Sequence, residues 1–138
     1  MPKIHRLPDK HADTEKVTIN LGHVDLGRID LLVREGFYSN RTDFIRSAIR
    51  SQLTAEARAV DQSVERHRFE LGLFDIFRED LEQLREAGEV LHLRVVGLAR
   101  IADDVTPDLA RETIASMSVL GSLQAPKDVK TALSDRIT

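Results

Sequence analysis

Residues 15–54 read EKVTINLGHVDLGRIDLLVREGFYSNRTDFIRSAIRSQLT, and the fold turns on the opening of this stretch. Lys16-Val17-Thr18-Ile19-Asn20-Leu21 alternates polar and apolar residues without a break. In an extended chain that period of two sets Val17, Ile19 and Leu21 on one side and Lys16, Thr18 and Asn20 on the other. A lone strand of this length is not stable in water. The next residues read as helix, so the strand's partner must come from far along the chain or from a second copy.

The first helix is expected from about Val24 to Glu35, with Leu26, Ile29, Leu32 and Val33 on one face. Gly36 can take the positive φ that closes a helix, and Phe37 and Tyr38 then lie in the turn. Asn40 is a good N-cap, with Asp43 at the third helical position behind it. A second helix starts at Arg41 and carries Phe44, Ile45, Ala48, Ile49 and Leu53 on its apolar face. Gly22, His23 and Gly27 loosen the first helix, since a helical Gly costs about 1 kcal/mol relative to Ala.

This order of strand, helix, Gly turn and capped helix resembles the ribbon-helix-helix family, the CopG/MetJ/Arc class of repressors. The resemblance rests on KVTINL, the Leu26/Ile29/Leu32/Val33 face, Gly36 with Tyr38, and the run Asn40–Arg50. It implies an intertwined homodimer whose strands pair antiparallel into a ribbon. Val17, Ile19, Leu21, Leu32, Ile45, Ala48 and Ile49 would form the dimer core. Lys16, Thr18 and Asn20 would face the bases of double-stranded DNA. Their chemistry agrees: Lys suits guanine O6/N7, Asn suits adenine N6/N7, and Thr can donate, accept or offer a methyl group. The resemblance also implies a phosphate clamp at the start of the second helix, Ser39, Asn40, Arg41 and Thr42, where free N–H groups carry partial positive charge. Plain capping is the competing role for those residues. Arg46 and Arg50, further along, are expected to be solvated or paired.

Beyond Leu53 the apolar positions Ala57, Val60, Val64, His67, Leu71 and Phe74 alternate in steps of four and three, as a heptad seam does. No Pro falls between Pro8 and Pro107, and Gly72 is the first Gly after Gly36. The reading is a long helix reaching about Ala87, a coiled-coil or amphipathic linker. Glu89–Ile101 reads as a strand bent at Gly97. An echo at an offset of 24 pairs Val95-Val96-Gly97 with Val119-Leu120-Gly121, and Asp104-Val105 with Asp128-Val129. It suggests a two-unit repeat of strand and turn, with helix starts at Thr106-Pro107 and Ala125-Pro126.

Charge is uneven. Residues 16–58 carry seven basic and five acidic side chains, against ten and fifteen in residues 59–138. The only basic excess therefore lies in the stretch assigned to DNA. The chain has no Cys, which excludes disulfides and thiolate sites and fits a reducing, cytoplasmic setting. Residues 1–16 lack the apolar run of a signal peptide. No GxSxG, HExxH or phosphate loop is present, so no enzyme and no cofactor are expected. His67 and His92 have no partners at ligand spacing, so no metal site is expected either. His67 reads as a polar residue on the seam and His92 as a strand residue.

The fold class expected is α+β: a flexible arm over 1–14, the ribbon-helix-helix domain over 15–58, a helical linker over 59–88, and a small oligomerisation or ligand domain over 89–138. The function expected is a DNA-binding transcriptional regulator, a repressor, dimeric and linked into tetramers or larger species by its C-terminal part. Two alternatives stay open: an antitoxin whose tail binds a toxin, and a self-assembling structural protein with secondary DNA binding.

Overall fold

Helices α1 (His23–Arg34) and α2 (Arg41–Ala55) occupy the stretch where apolar residues recur at helical spacing. The computed structural model describes residues 14–138, so all but Thr14 of the expected arm lies outside the described residues. Helix α1 closes on Gly36 at φ +86°. The Gly36 N–H donates to the Val33 carbonyl at 3.1 Å and the Phe37 N–H to that of Leu32 at 3.0 Å, which satisfies carbonyls the helix end would strand. Asn40 then caps α2, its Oδ1 accepting the Asp43 N–H at 2.8 Å. The Asp43 carboxylate answers by accepting the Ser39 N–H at 2.9 Å. Replacing Asn40 with Ala should lower stability by about 1 kcal/mol, read as a shift in the denaturant midpoint. An unchanged midpoint would show that the cap contributes nothing.

Contacts divide the chain into Thr14–Ser63 and Val64–Thr138. In the first unit Ile29 alone reaches full burial. Val24, Leu31, Phe37, Ile49 and Leu53 all stand exposed on or between its helices.

The long helix expected to run to about Ala87 is corrected. Helix α2 ends at Ala55, α3 spans Ala57–Arg66, and strand β1 (Glu70–Ile76) takes up Leu71 and Phe74 of the supposed heptad seam. No coiled-coil linker covers 59–88. Helix α3 stops because Arg68 takes φ +56°. The Phe69 N–H then donates to Val64 at 2.9 Å and the Arg68 N–H to Glu65 at 3.2 Å, the closure that α1 makes with Gly36. Arg94 pins the exit: its Nε donates to the His67 carbonyl at 2.8 Å and its guanidinium lies 4.6 Å from the Phe69 ring centre. His67 therefore sits in this turn and not on a helical seam.

From β1 onward the chain alternates strand and helix: α4 (Arg78–Ala87), β2 (Leu91–Ile101), α5 (Pro107–Thr113), β3 (Ile114–Gln124) and α6 (Lys127–Ala132). The three strands are parallel in the order β1-β2-β3. The register sets Val95 beside Val119 and Gly97 beside Gly121, the residues of the 24-residue echo. It also sets Gly72 beside Gly97, so there are three repeats where the sequence suggested two. His92 lies in β2, its Nδ1 2.8 Å from Ser116 Oγ.

One face of the sheet presents Ile76, Leu93, Val95, Ala99, Ile101 and Met117 to the helix residues Leu81, Leu109, Ala110 and Val129, with Leu133 just past α6. That is the core, and it belongs wholly to the second unit. Thr106 caps α5 with Pro107 at the first position. The buried Thr113 hydroxyl donates to the Leu109 carbonyl at 2.6 Å, so no polar group is stranded there. Arg136 donates to the carbonyls of Arg111 and Ile114, tying residues 136–138 to the third repeat.

The row Gly72–Gly97–Gly121 has positive φ throughout, at +141°, +139° and +122°. A Cβ on Gly97 would lie 2.1 Å from the Gly72 carbonyl oxygen, and one on Gly121 2.0 Å from that of Gly97. Only glycine permits these strands to approach as they do.

Candidate nucleic-acid interface

Thr14–Gly22 lies outside every helix and strand of the single chain. Lys16, Thr18 and Asn20 are all exposed there. So are their apolar neighbours: Val17 is 78% accessible, Ile19 59% and Leu21 39%. Aliphatic side chains gain roughly 1.5–3 kcal/mol each on burial. The same unit also exposes Ile49 and Leu53 on α2, so these three aliphatic side chains are among several apolar groups that one chain leaves uncovered. Of the other expected dimer-core residues, Leu32 and Ile45 are half-buried, while Ala48 is exposed. One chain thus leaves most of the proposed core uncovered.

The turn before α2 is built more firmly than the sequence suggested. Arg41 Nε and Nη2 donate to the two carboxylate oxygens of Asp30 at 2.7 and 2.8 Å, a fork that joins α2 to α1. Tyr38 and Phe44 meet edge to face across the same turn, ring centres 5.0 Å apart. The Asp30–Arg41 fork was missed in the sequence because the two residues stand eleven apart, across a turn. With its guanidinium engaged by Asp30, Arg41 keeps its backbone N–H at the first position of α2. That group and the Thr42 N–H fall in the first helical turn, where no preceding carbonyl can accept them. The Asp43 carboxylate points back onto Ser39. Arg46 and Arg50 are exposed and form no ion pair among the described residues.

The fork has a pH signature. The two N–H bonds from Arg41 hold the Asp30 carboxyl below the ordinary aspartate range, and Asp30 in turn raises Arg41. Whatever stability the pair adds is present above the ordinary aspartate pKa and fades as pH falls through the lowered one. Carboxyl NMR should therefore show Asp30 titrating low in the native chain and moving upward in Arg41→Ala. Identical titration in both would show that the fork does not persist in solution.

Among the described residues no three His, Asp or Glu side chains are placed to hold a metal ion. No helix among them is long and apolar enough to cross a membrane.

The first unit is thus a capped helix pair carrying an unpaired alternating segment, joined to a second unit with a core of its own. The chain belongs to the ribbon-helix-helix transcriptional regulator family, whose sequence profile matches residues 12–130. Membership makes it a DNA-binding transcriptional regulator of a dimer-forming family, and the match runs through most of the second unit as well. No curated protein and no solved structure matches the chain.

Proposed function

We propose that two copies pair residues Lys16–Leu21 antiparallel, and that the resulting ribbon enters the major groove to read a specific site as a repressor. The observation that carries this is the exposure of Val17, Ile19 and Leu21 in one chain beside two helices with uncovered apolar faces. Two-fold pairing removes all of these from water at once and leaves Lys16, Thr18 and Asn20 outward. A two-stranded ribbon fits the B-DNA major groove. The Arg41 and Thr42 N–H groups, held by the Asn40 cap and the Asp30 fork, would then grip the phosphates flanking the groove, with Ser39 in the turn before them.

The second unit would link such dimers, so that occupancy of one site favours occupancy of its neighbour. Its buried core favours this over an antitoxin tail, which typically stays disordered until its toxin arrives.

Selection of bound sequences from a random DNA library tests the reading. One short motif with two-fold symmetry is expected, and absence of any motif would refute it. Affinity should also fall by about 10³–10⁵ between 50 and 200 mM salt if roughly six to ten phosphates are contacted. A flat salt response would exclude the phosphate grip.

A further inference from the structure

The three glycines of the sheet row are not equivalent. Gly97 and Gly121 lack side chains for a visible reason: a neighbouring carbonyl stands where Cβ would go. A Cβ on Gly72 would meet only its own strand's Phe74 ring, at an ordinary 3.8 Å. Gly72 nevertheless holds the same conformation, φ +141°. It lies on β1, whose outer edge has no partner strand among the described residues.

The opposite edge of the sheet is complementary. Arg136–Thr138 meet β3 at Met117: the Met117 N–H donates to the Arg136 carbonyl and the Thr138 N–H to that of Met117, each at 2.9 Å. That short bridge covers β3 only at Met117, and Val119–Leu123 runs on beyond it. Through β2, that same segment is in register with Glu70–Phe74: Val119 with Val95 and Glu70, Gly121 with Gly97 and Gly72.

We propose that the C-terminal domain stacks head to tail on a second copy of this chain, β3 of one pairing in parallel with β1 of the next. The Gly121 carbonyl then occupies the open space at Gly72, as that of Gly97 does at Gly121. The row Leu71–Val96–Leu120 on the outer face becomes continuous across copies, joining Leu120, 57% exposed, to Leu71, 59% exposed. Charge favours the same order. Helix α4, in the first repeat, carries four carboxylates and two arginines, and α6, in the last, carries two lysines and one aspartate. An open groove of about 490 Å³ between β1 and α4, lined by Phe74, Ile76, Leu81 and Leu84, leaves Phe74 and Leu84 only half-buried in one copy. Because the two surfaces differ, this contact is heterologous and builds rows of dimers, whereas a two-fold contact would stop at a fixed size. It names the surface by which dimers would be linked on DNA, and so rests on the proposed function for its consequence there.

The test is sedimentation of the full chain without DNA, across a wide concentration range. The wild type should grow in mass beyond the dimer with no plateau. Leu71→Lys damages one surface and Leu120→Lys the other, and both positions are exposed, so each variant should keep wild-type circular dichroism. Loss of a buried leucine contact and an added edge charge should weaken assembly tenfold or more. Each variant alone should therefore stay dimeric. A mixture of the two should regain mass, because each supplies the surface the other lacks. A wild type fixed at one mass, variants that assemble like the wild type, or a mixture that stays dimeric would each overturn the proposal. Binding of each variant to a single DNA site is measured alongside. A chain that grows in mass but selects no DNA sequence sinks the regulator reading and leaves the stacking intact.

Discussion

With alanine at both Thr18 and Asn20, the protein should lose its preference for a specific DNA site and remain a folded dimer. The two side chains are exposed and hold no part of a core, so their removal leaves packing untouched. In a ribbon they appear twice, once from each subunit. A good base contact discriminates by about 1–3 kcal/mol. Even about 1 kcal/mol at each of four positions approaches a thousandfold in affinity. Non-specific binding should survive, because the phosphate contacts are not altered, and should keep its salt dependence. Competition between specific and random duplexes measures the ratio directly. An unchanged ratio would mean that bases are read elsewhere. Ile19→Asp should behave in the opposite way, dispersing the dimer and with it all site recognition, because it places a charge where the ribbon faces its helices.

The second large effect belongs to the sheet. Gly97→Ala should unfold the C-terminal domain or lower its stability by more than about 4 kcal/mol, which is exceptional for a single methyl. Its Cβ would stand 2.1 Å from the Gly72 oxygen and 3.0 Å from the Gly72 carbonyl carbon. Both are backbone atoms of a paired strand, so neither can yield without opening the β1–β2 ladder. The backbone at φ +139° adds strain of its own, of order 1–3 kcal/mol. Gly72→Ala carries that strain without the collision and is the control. Urea unfolding of both variants separates the two causes. If Gly97→Ala and Gly72→Ala lose the same amount, close approach of the strands is not what demands glycine there.

Where local chemistry decides, the fold could be read directly. Gly36, the Asn40 cap and the 3.6-residue spacing of Leu26, Ile29, Leu32 and Val33 mark α1 and the start of α2 within a residue or so of where they lie. Leu91–Ile101, rich in β-branched residues, forms β2 inside the stretch that reads as a strand. Legibility failed at the end of α2, which no Gly or Pro marks, and again between residues 67 and 77, there for two reasons. The closure of α3 uses Arg68 in the left-handed region, which costs roughly 1–2 kcal/mol and leaves no Gly to mark the stop. The apolar residues Leu71 and Phe74 happen also to continue the heptad count, and what makes them a strand is pairing with Val96 and Ala99, far along the chain. The repeat was undercounted for a related reason: Gly121 follows Gly97 by 24 residues, but Gly97 follows Gly72 by 25, so a fixed period misses the first repeat.

At the candidate interface, the division of Lys16, Thr18 and Asn20 from Val17, Ile19 and Leu21 was visible from alternation, since period two needs no tertiary information, while in one chain all six stand exposed. The Asp30–Arg41 fork was not, because two helices must first cross to bring it together. The fork engages the Arg41 side chain and leaves the phosphate grip we propose where the resemblance put it, on the free N–H groups that open α2.

Isotope-filtered NMR on an equimolar mixture of labelled and unlabelled chains examines the ribbon itself. Cross-peaks between the Lys16–Leu21 backbone of one subunit and the same residues of the other are expected, in the pattern of antiparallel pairing, with the Val17, Ile19 and Leu21 methyl groups close to α2 residues. A folded 15.6 kDa single chain without those cross-peaks would contradict the assignment, as would a pairing that turns Thr18 and Asn20 inward.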